Sequence, residues 1–140
     1  MGKTQQSTTI NRSPADVWAK VRDFHDMSWC PNVITDLKKV GDKSGLEVGA
    51  KRLLNDAFHE TMHELDDEGM KIRYSIDDGP PPISKDDVSN YFGVLTLTAE
   101  GDGTRVDWNS SWEGDNEESH EFCHQIYLAL LADMKASLEA

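Results

Sequence analysis

The sequence predicts an α+β domain in which a curved antiparallel sheet wraps around one long C-terminal helix. Three observations predict it. From Asp115 to Leu138 the residues Cys123, Tyr127, Leu130, Met134 and Leu138 recur at three and four, with Phe122, Ile126 and Ala129 widening the stripe. Most of the preceding chain alternates apolar and polar residues in short runs between turn residues, the period of half-buried strands. A length of 140 residues gives a single domain, 1–140, with room for one sizeable core.

Taken in order, Lys3 to Asn11 alternates Thr and Ile among polar residues and reads as a first strand with a wet outer face. Ser13-Pro14-Ala15-Asp16 is a helix start. Ser13 caps, Pro14 occupies the position where its missing N–H is harmless, and Asp16 closes a capping box ahead of Val17, Trp18 and Val21. A second short helical piece is expected over Asp23 to Met27, ending before Trp29-Cys30-Pro31 because the residue before proline is driven out of the helical region. Val33 to Val40, Gly49 to Asn55, Phe58 to Leu65 and Met70 to Ile76 follow as strands, the last two joined by Asp66-Asp67-Glu68-Gly69. Pro80-Pro81-Pro82 interrupts the ladder, leaving Asp77 to Asp87 as a stiff irregular stretch that is either a lid or a surface crossover. Val88 to Ala99 and Thr104 to Glu113 form a hairpin around Gly101-Asp102-Gly103, with a loop of two or four residues. Asp115 caps the final helix, with Glu118 at the reciprocal position.

The formal net charge of -12 repels nucleic acid and anionic membrane alike, and the final third of the chain has only Arg105 and Lys135 as basic residues. Neither nucleic-acid binding nor membrane insertion is expected. No charged-then-apolar leader opens the chain, and no apolar run approaches a membrane span, so a cytoplasmic location is expected. Cys30 and Cys123 are too few for a disulfide framework and are read as buried thiols, with one bridge between them as the alternative. The oligomeric state is left open.

Several residues together resemble a known group. Ser13-Pro14 leading to Val17-Trp18, Trp29 with Pro31, Gly49 ahead of Arg52, and the Gly101-Asp102-Gly103-Thr104 turn into Val106-Asp107-Trp108 resemble the SRPBCC superfamily. That superfamily includes polyketide cyclase/dehydrase-like proteins, the birch pollen allergen family and START lipid-transfer domains. The resemblance implies a helix-grip fold: six or seven antiparallel strands curled around the C-terminal helix, with two short helices after the first strand. It also implies an apolar ligand held between sheet and helix, in proteins of which some are aromatases or cyclases and others carry or sense ligands. Fold alone does not choose between those roles.

The residues themselves show where such a ligand would lie. Val106, Trp108, Ser110 and Trp112 share one face of their strand, and Tyr91, Gly93, Leu95 and Leu97 share one face of its partner, with Tyr74 and Ile76 adding to the same wall. Gly93 either leaves room for a ligand or lets the sheet bend. The ligand-binding candidates are Met62, Tyr74, Tyr91, Leu95, Trp108, Ser110 and Trp112 from the strands, with Phe122, Ile126 and Leu130 from the helix. The strand from Phe58 carries Phe58, Glu60, Met62 and Glu64 on one side and His59, Thr61, His63 and Leu65 on the other. Either side brings ionisable groups inward, unless the strand lies near an edge where both faces see water. Glu60, Glu64 and Tyr74 are the candidates for proton transfer in a catalytic reading.

Two literal matches to a zinc-protease pattern, His59-Glu60-x-x-His63 and His120-Glu121-x-x-His124, are weaker than they look. The first falls in a strand, where residues four apart lie roughly 13 Å apart. The second falls on a helix but needs a third ligand; Asp133 and Glu139 are badly placed for it, and Asp115 or Glu117 would complete only a weak surface site. No phosphate-cradling loop or activated nucleophile is present, so no metal or cofactor is expected. The expected function is binding of a small hydrophobic or aromatic molecule in an internal cavity. The alternatives are a cyclase or dehydratase using a cavity Glu or Tyr, and an acidic interaction module with a filled core.

Overall fold

The computed structural model describes residues 2–114 and 117–139. Seven strands, β1 (Gly2–Ile10), β2 (Leu37–Val40), β3 (Lys51–Leu54), β4 (Phe58–Asp66), β5 (Lys71–Asp78), β6 (Ser89–Glu100) and β7 (Gly103–Glu113), form one sheet. Its order is β1-β7-β6-β5-β4-β3-β2, antiparallel at every pair. Helix α1 (Pro14–Val21) follows β1, and helix α2 (Glu117–Leu138) ends the chain. This is the helix-grip fold, a curved sheet closed on its concave side by the long helix. Among the described residues no helix is long and apolar enough to cross a membrane.

Helix α2 buries Cys123, Tyr127, Leu130, Met134 and Leu138, the stripe its periodicity marks, and adds Ser119, Leu131 and Asp133. Phe122 and Ile126 pack partly buried against the core, whereas Ala129 is exposed, so the buried stripe is narrower on that flank. The expected cap Asp115 lies outside the described residues. Ser13 caps α1 as expected, accepting from the Asp16 amide at 3.2 Å, but the Asp16 carboxylate turns to Arg12 at 3.6 Å instead of closing the capping box.

The second short helix expected over Asp23 to Met27 is replaced by turns. Asp23 Oδ1 accepts from the His25 amide at 2.9 Å, Asp26 Oδ1 accepts from the Ser28 amide at 2.9 Å, and the Phe24 amide donates to the Gly45 carbonyl at 3.0 Å. Side-chain carboxylates and a remote carbonyl thus satisfy these amides in turns. The β6–β7 hairpin pairs Glu100 with Gly103, so its loop is two residues, with Gly101 at φ 59°.

Strand β4 is interior, between β3 and β5, which corrects the edge reading. Its register with β5 shifts between Met62 and Glu64. Before that bulge Glu60 and Met62 point into the core; after it Glu64 is turned outward, 3.4 Å from Lys71, and Leu65 packs against the core. One irregularity therefore separates two glutamates that strict alternation would place on the same face.

Candidate functional site: an internal cavity between sheet and helix

The concave face of the sheet and α2 do not close completely on each other. They leave a cavity of about 260 Å³. The sheet contributes Arg52 and Leu54 from β3, Phe58 and Glu60 from β4, Tyr74 and Ile76 from β5, Tyr91 from β6 and Trp108 from β7. Helix α2 contributes Cys123, Ile126, Tyr127 and Leu130, and connecting segments add Met27, Val33, Ile34, Asn55 and Ile83. Ile83 belongs to the proline stretch, so that stretch contributes one side chain to the cavity wall. Ser119 Oγ holds that stretch by donating to the Pro82 carbonyl at 2.6 Å.

The polar atoms of the wall are arranged in two sets. The first is a chain of hydroxyls. Trp108 Nε1 donates to the Tyr74 hydroxyl at 2.9 Å, the Tyr74 and Tyr127 hydroxyls are 3.2 Å apart, Tyr127 and Tyr91 are 2.6 Å apart, and Tyr91 donates to Cys123 Sγ at 3.3 Å. Each hydroxyl has one proton to give. With Tyr91 donating to sulfur, Tyr127 donates to Tyr91 and Tyr74 to Tyr127, so every proton of the chain runs one way. Burial pushes all three tyrosines well above their ordinary range, and it raises the Cys123 thiol to about 11 and Cys30 to about 12. Both cysteines are free and buried, and as protonated thiols they are poor nucleophiles.

The second set is a buried ion pair. Residues Leu54 and Phe58 pair across the β3–β4 turn, and the same register sets Arg52 opposite Glu60. Arg52 Nε and Nη2 donate to Glu60 Oε1 at 2.9 and 2.6 Å, and Nη1 donates to the Phe24 carbonyl at 2.9 Å. The guanidinium lies 3.7 Å from the centre of the Phe24 ring. Desolvation pushes the Glu60 carboxyl above its ordinary value, with the guanidinium pulling in the opposite direction.

Of the ligand-binding candidates named from sequence, Tyr74, Tyr91, Trp108, Ile126 and Leu130 stand on the cavity wall, as does the proton-transfer candidate Glu60. The others stand elsewhere. Trp112 is stacked behind Tyr91 at 5.3 Å and covered by Gly2, where an added Cβ would lie 2.2 Å from its ring. Ser110 Oγ is bonded to Thr4 Oγ1 at 2.8 Å, Met62 and Leu95 are closed into the core, and Phe122 stacks on Phe58 at 6.4 Å, one layer back. Gly93 faces Tyr74 across the β5–β6 pair, and the Tyr74 ring occupies the space a Cβ would need, 2.4 Å away. The space left by the missing side chain therefore houses the Tyr74 ring and not a ligand. Among the described residues no group of three metal-ligating side chains converges; His120 and His124 are stacked 6.4 Å apart, and Gln6 Nε2 donates to His124 Nδ1 at 2.6 Å.

Arg52, Tyr127, Cys123 and Ile83 belong to the wall but were not among the sequence candidates. A signal for Arg52 was present: centring the turn on Asn55-Asp56-Ala57 places it across from Glu60, a charge complement on two strands expected to share a core face.

Comparison with known proteins agrees with this architecture. Residues 1–139 match the family described as polyketide cyclase / dehydrase and lipid transport. The chain belongs to that family. Its fold is shared with a protein from Nitrosospira multiformis at 39% identity and a TM-score of 0.95, covering 98% of this chain and 96% of that one. XoxI from Bacillus cereus is similar at 24% identity and a TM-score of 0.79, covering 99% and 96%. Ara h 8.0201 is similar at 14% identity and a TM-score of 0.77, covering 98% and 97%. These last two show the shared fold alone. No curated protein matches the chain.

Proposed function

We propose that this family member binds one small, largely aromatic apolar molecule in the cavity between the sheet and α2. The observation that carries the reading is the cavity itself, about 260 Å³ walled by Trp108, Tyr74, Tyr91, Tyr127 and aliphatic side chains in an otherwise closed core. At liquid density that space would hold about nine waters, which corresponds to roughly ten to fifteen non-hydrogen atoms of an organic ligand. A space of this size suits a fused bicyclic ring. An interaction module with a filled core fits this interior poorly.

A second reading is favoured by one observation: Glu60, raised by burial, stands on the same wall as the hydroxyl chain. In that reading a bound cyclisable substrate would exchange protons with Glu60 or Tyr74. Native mass spectrometry of the purified protein, before and after organic extraction, tests the first reading. A stoichiometric apolar species that is released, rebinds and quenches Trp fluorescence supports it. Absence of both a copurified species and any binding from an aromatic panel contradicts it. Conversion of the rebound species to a product of altered mass selects the second reading.

A further inference from the structure

A buried carboxylate is tolerated when its oxygens are answered by donors, and Glu60 is answered on one side only. It is 6% exposed, and both bonds from Arg52 converge on Oε1. Among the described residues no hydrogen bond reaches Oε2, although Glu60 stands on the cavity wall. Arg52 uses three N–H groups, two toward Glu60 and one toward the Phe24 carbonyl, out of the five a guanidinium has. The wall therefore presents an unanswered acceptor beside unused donors, within a pair whose charges cancel.

The rest of the wall does not compete for that role. The hydroxyl chain commits the O–H of each tyrosine to the next member and ends on Cys123, so in the unliganded state none of its hydroxyl protons is left over. Asn55 Oδ1 is occupied by the Thr35 and Asp36 amides at 2.9 and 3.1 Å, and its Nδ2 donates to the Val33 carbonyl at 2.9 Å, so the amide has one further N–H to give and no acceptor to match Glu60. An ammonium would add an unbalanced charge, a carboxylate would confront Glu60, and an ether or carbonyl accepts without donating. A neutral hydroxyl can donate to Oε2 and accept from Arg52.

We propose that Glu60, oriented by Arg52, is the recognition point for a hydroxylated aromatic ligand, a phenol or aryl alcohol of bicyclic size. This rests on the cavity being a binding site. The apolar walls hold the ring, and Glu60 Oε2 selects its hydroxyl.

The test is a protein-observed NMR titration with naphthalene, 2-naphthol and 2-methoxynaphthalene, which share a ring and differ in the donor. The expected result is that 2-naphthol binds at least about tenfold more tightly than the methyl ether, as a charge-assisted bond to carboxylate allows. In the double variant Arg52→Met with Glu60→Leu, which removes both charges together, that preference is expected to disappear. Glu60→Gln serves as the second variant, with the preference reduced. Equal binding of naphthol and ether to the wild type overturns the proposal and leaves the cavity reading intact. A preference that survives in the double variant, or that is undiminished in Glu60→Gln, also overturns it. Binding of none of the three compounds removes the cavity reading and the proposal together.

Discussion

The pair Gly93 and Tyr74 shows how a single residue's role depends on its cross-strand partner. In sequence Gly93 is only a gap in an apolar face; in the sheet it lies opposite Tyr74, whose ring fills the gap. Gly93→Ala would set a methyl 2.4 Å from that ring, so the variant is expected to lose about 1–3 kcal/mol, read as a lower urea midpoint at unchanged slope. Tyr127 is the middle of the hydroxyl chain, and Tyr127→Phe strands the Tyr74 hydroxyl proton without an acceptor and removes one of the donors to Tyr91, which keeps its bond with Ser110. A loss of about 1–3 kcal/mol in the same assay is expected. The chain also predicts a pH dependence. Tyr74, Tyr91 and Tyr127 are held above 10.0, and Cys30 at about 12 is held above 9.0, so the native state keeps protons that the unfolded state releases. Stability therefore falls as pH rises through this range, and unfolding at pH 10.5 should require at least about 2 kcal/mol less than at pH 8.

At the scale of elements, α2 was legible because its buried residues keep one period over six turns, and the β6–β7 hairpin because Gly101 marks a turn between alternating runs. Strand β4 was not fully legible. Its bulge after Met62 depends on how β5 pairs with it, and no local residue pattern distinguishes Glu60, which goes in, from Glu64, which goes out. The segment after α1 was misread for a related reason, since Asp23 and Asp26 can continue a helix or cap a turn, and tertiary bonding to Gly45 decides. One contact between elements sets the cavity rim. Asp133 on α2 accepts from the Asn32 amide at 2.8 Å, Asn32 Nδ2 at 2.9 Å and the Val33 amide at 3.2 Å, which fixes the segment carrying the wall residues Val33 and Ile34. Asp133→Ala is expected to cost about 2–3 kcal/mol and to speed amide hydrogen exchange at Asn32 and Val33 relative to β6.

For the molecule as a whole, an apolar cavity leaves wall atoms without contacts they would otherwise make, and an occupant restores them. Filling it with protein should separate binding from folding: Ile126→Trp is expected to weaken aromatic binding at least about tenfold while the thermal midpoint holds or rises. The overall fold was readable because periodicities of two and near 3.6 specify layers. The cavity was half-readable because sequence places Tyr74, Tyr91 and Trp108 on the inner face but not the depth at which each stops. The most direct measurement is the chemical-shift map of the protein saturated with 2-naphthol. Binding in the cavity would concentrate the shifts at the Trp108 indole N–H and the methyl groups of Ile34, Ile76, Ile83 and Ile126, with the buried Ile10 methyls, away from the wall, unmoved. Saturable shifts confined to the outer face of the sheet, or none at all, would contradict it.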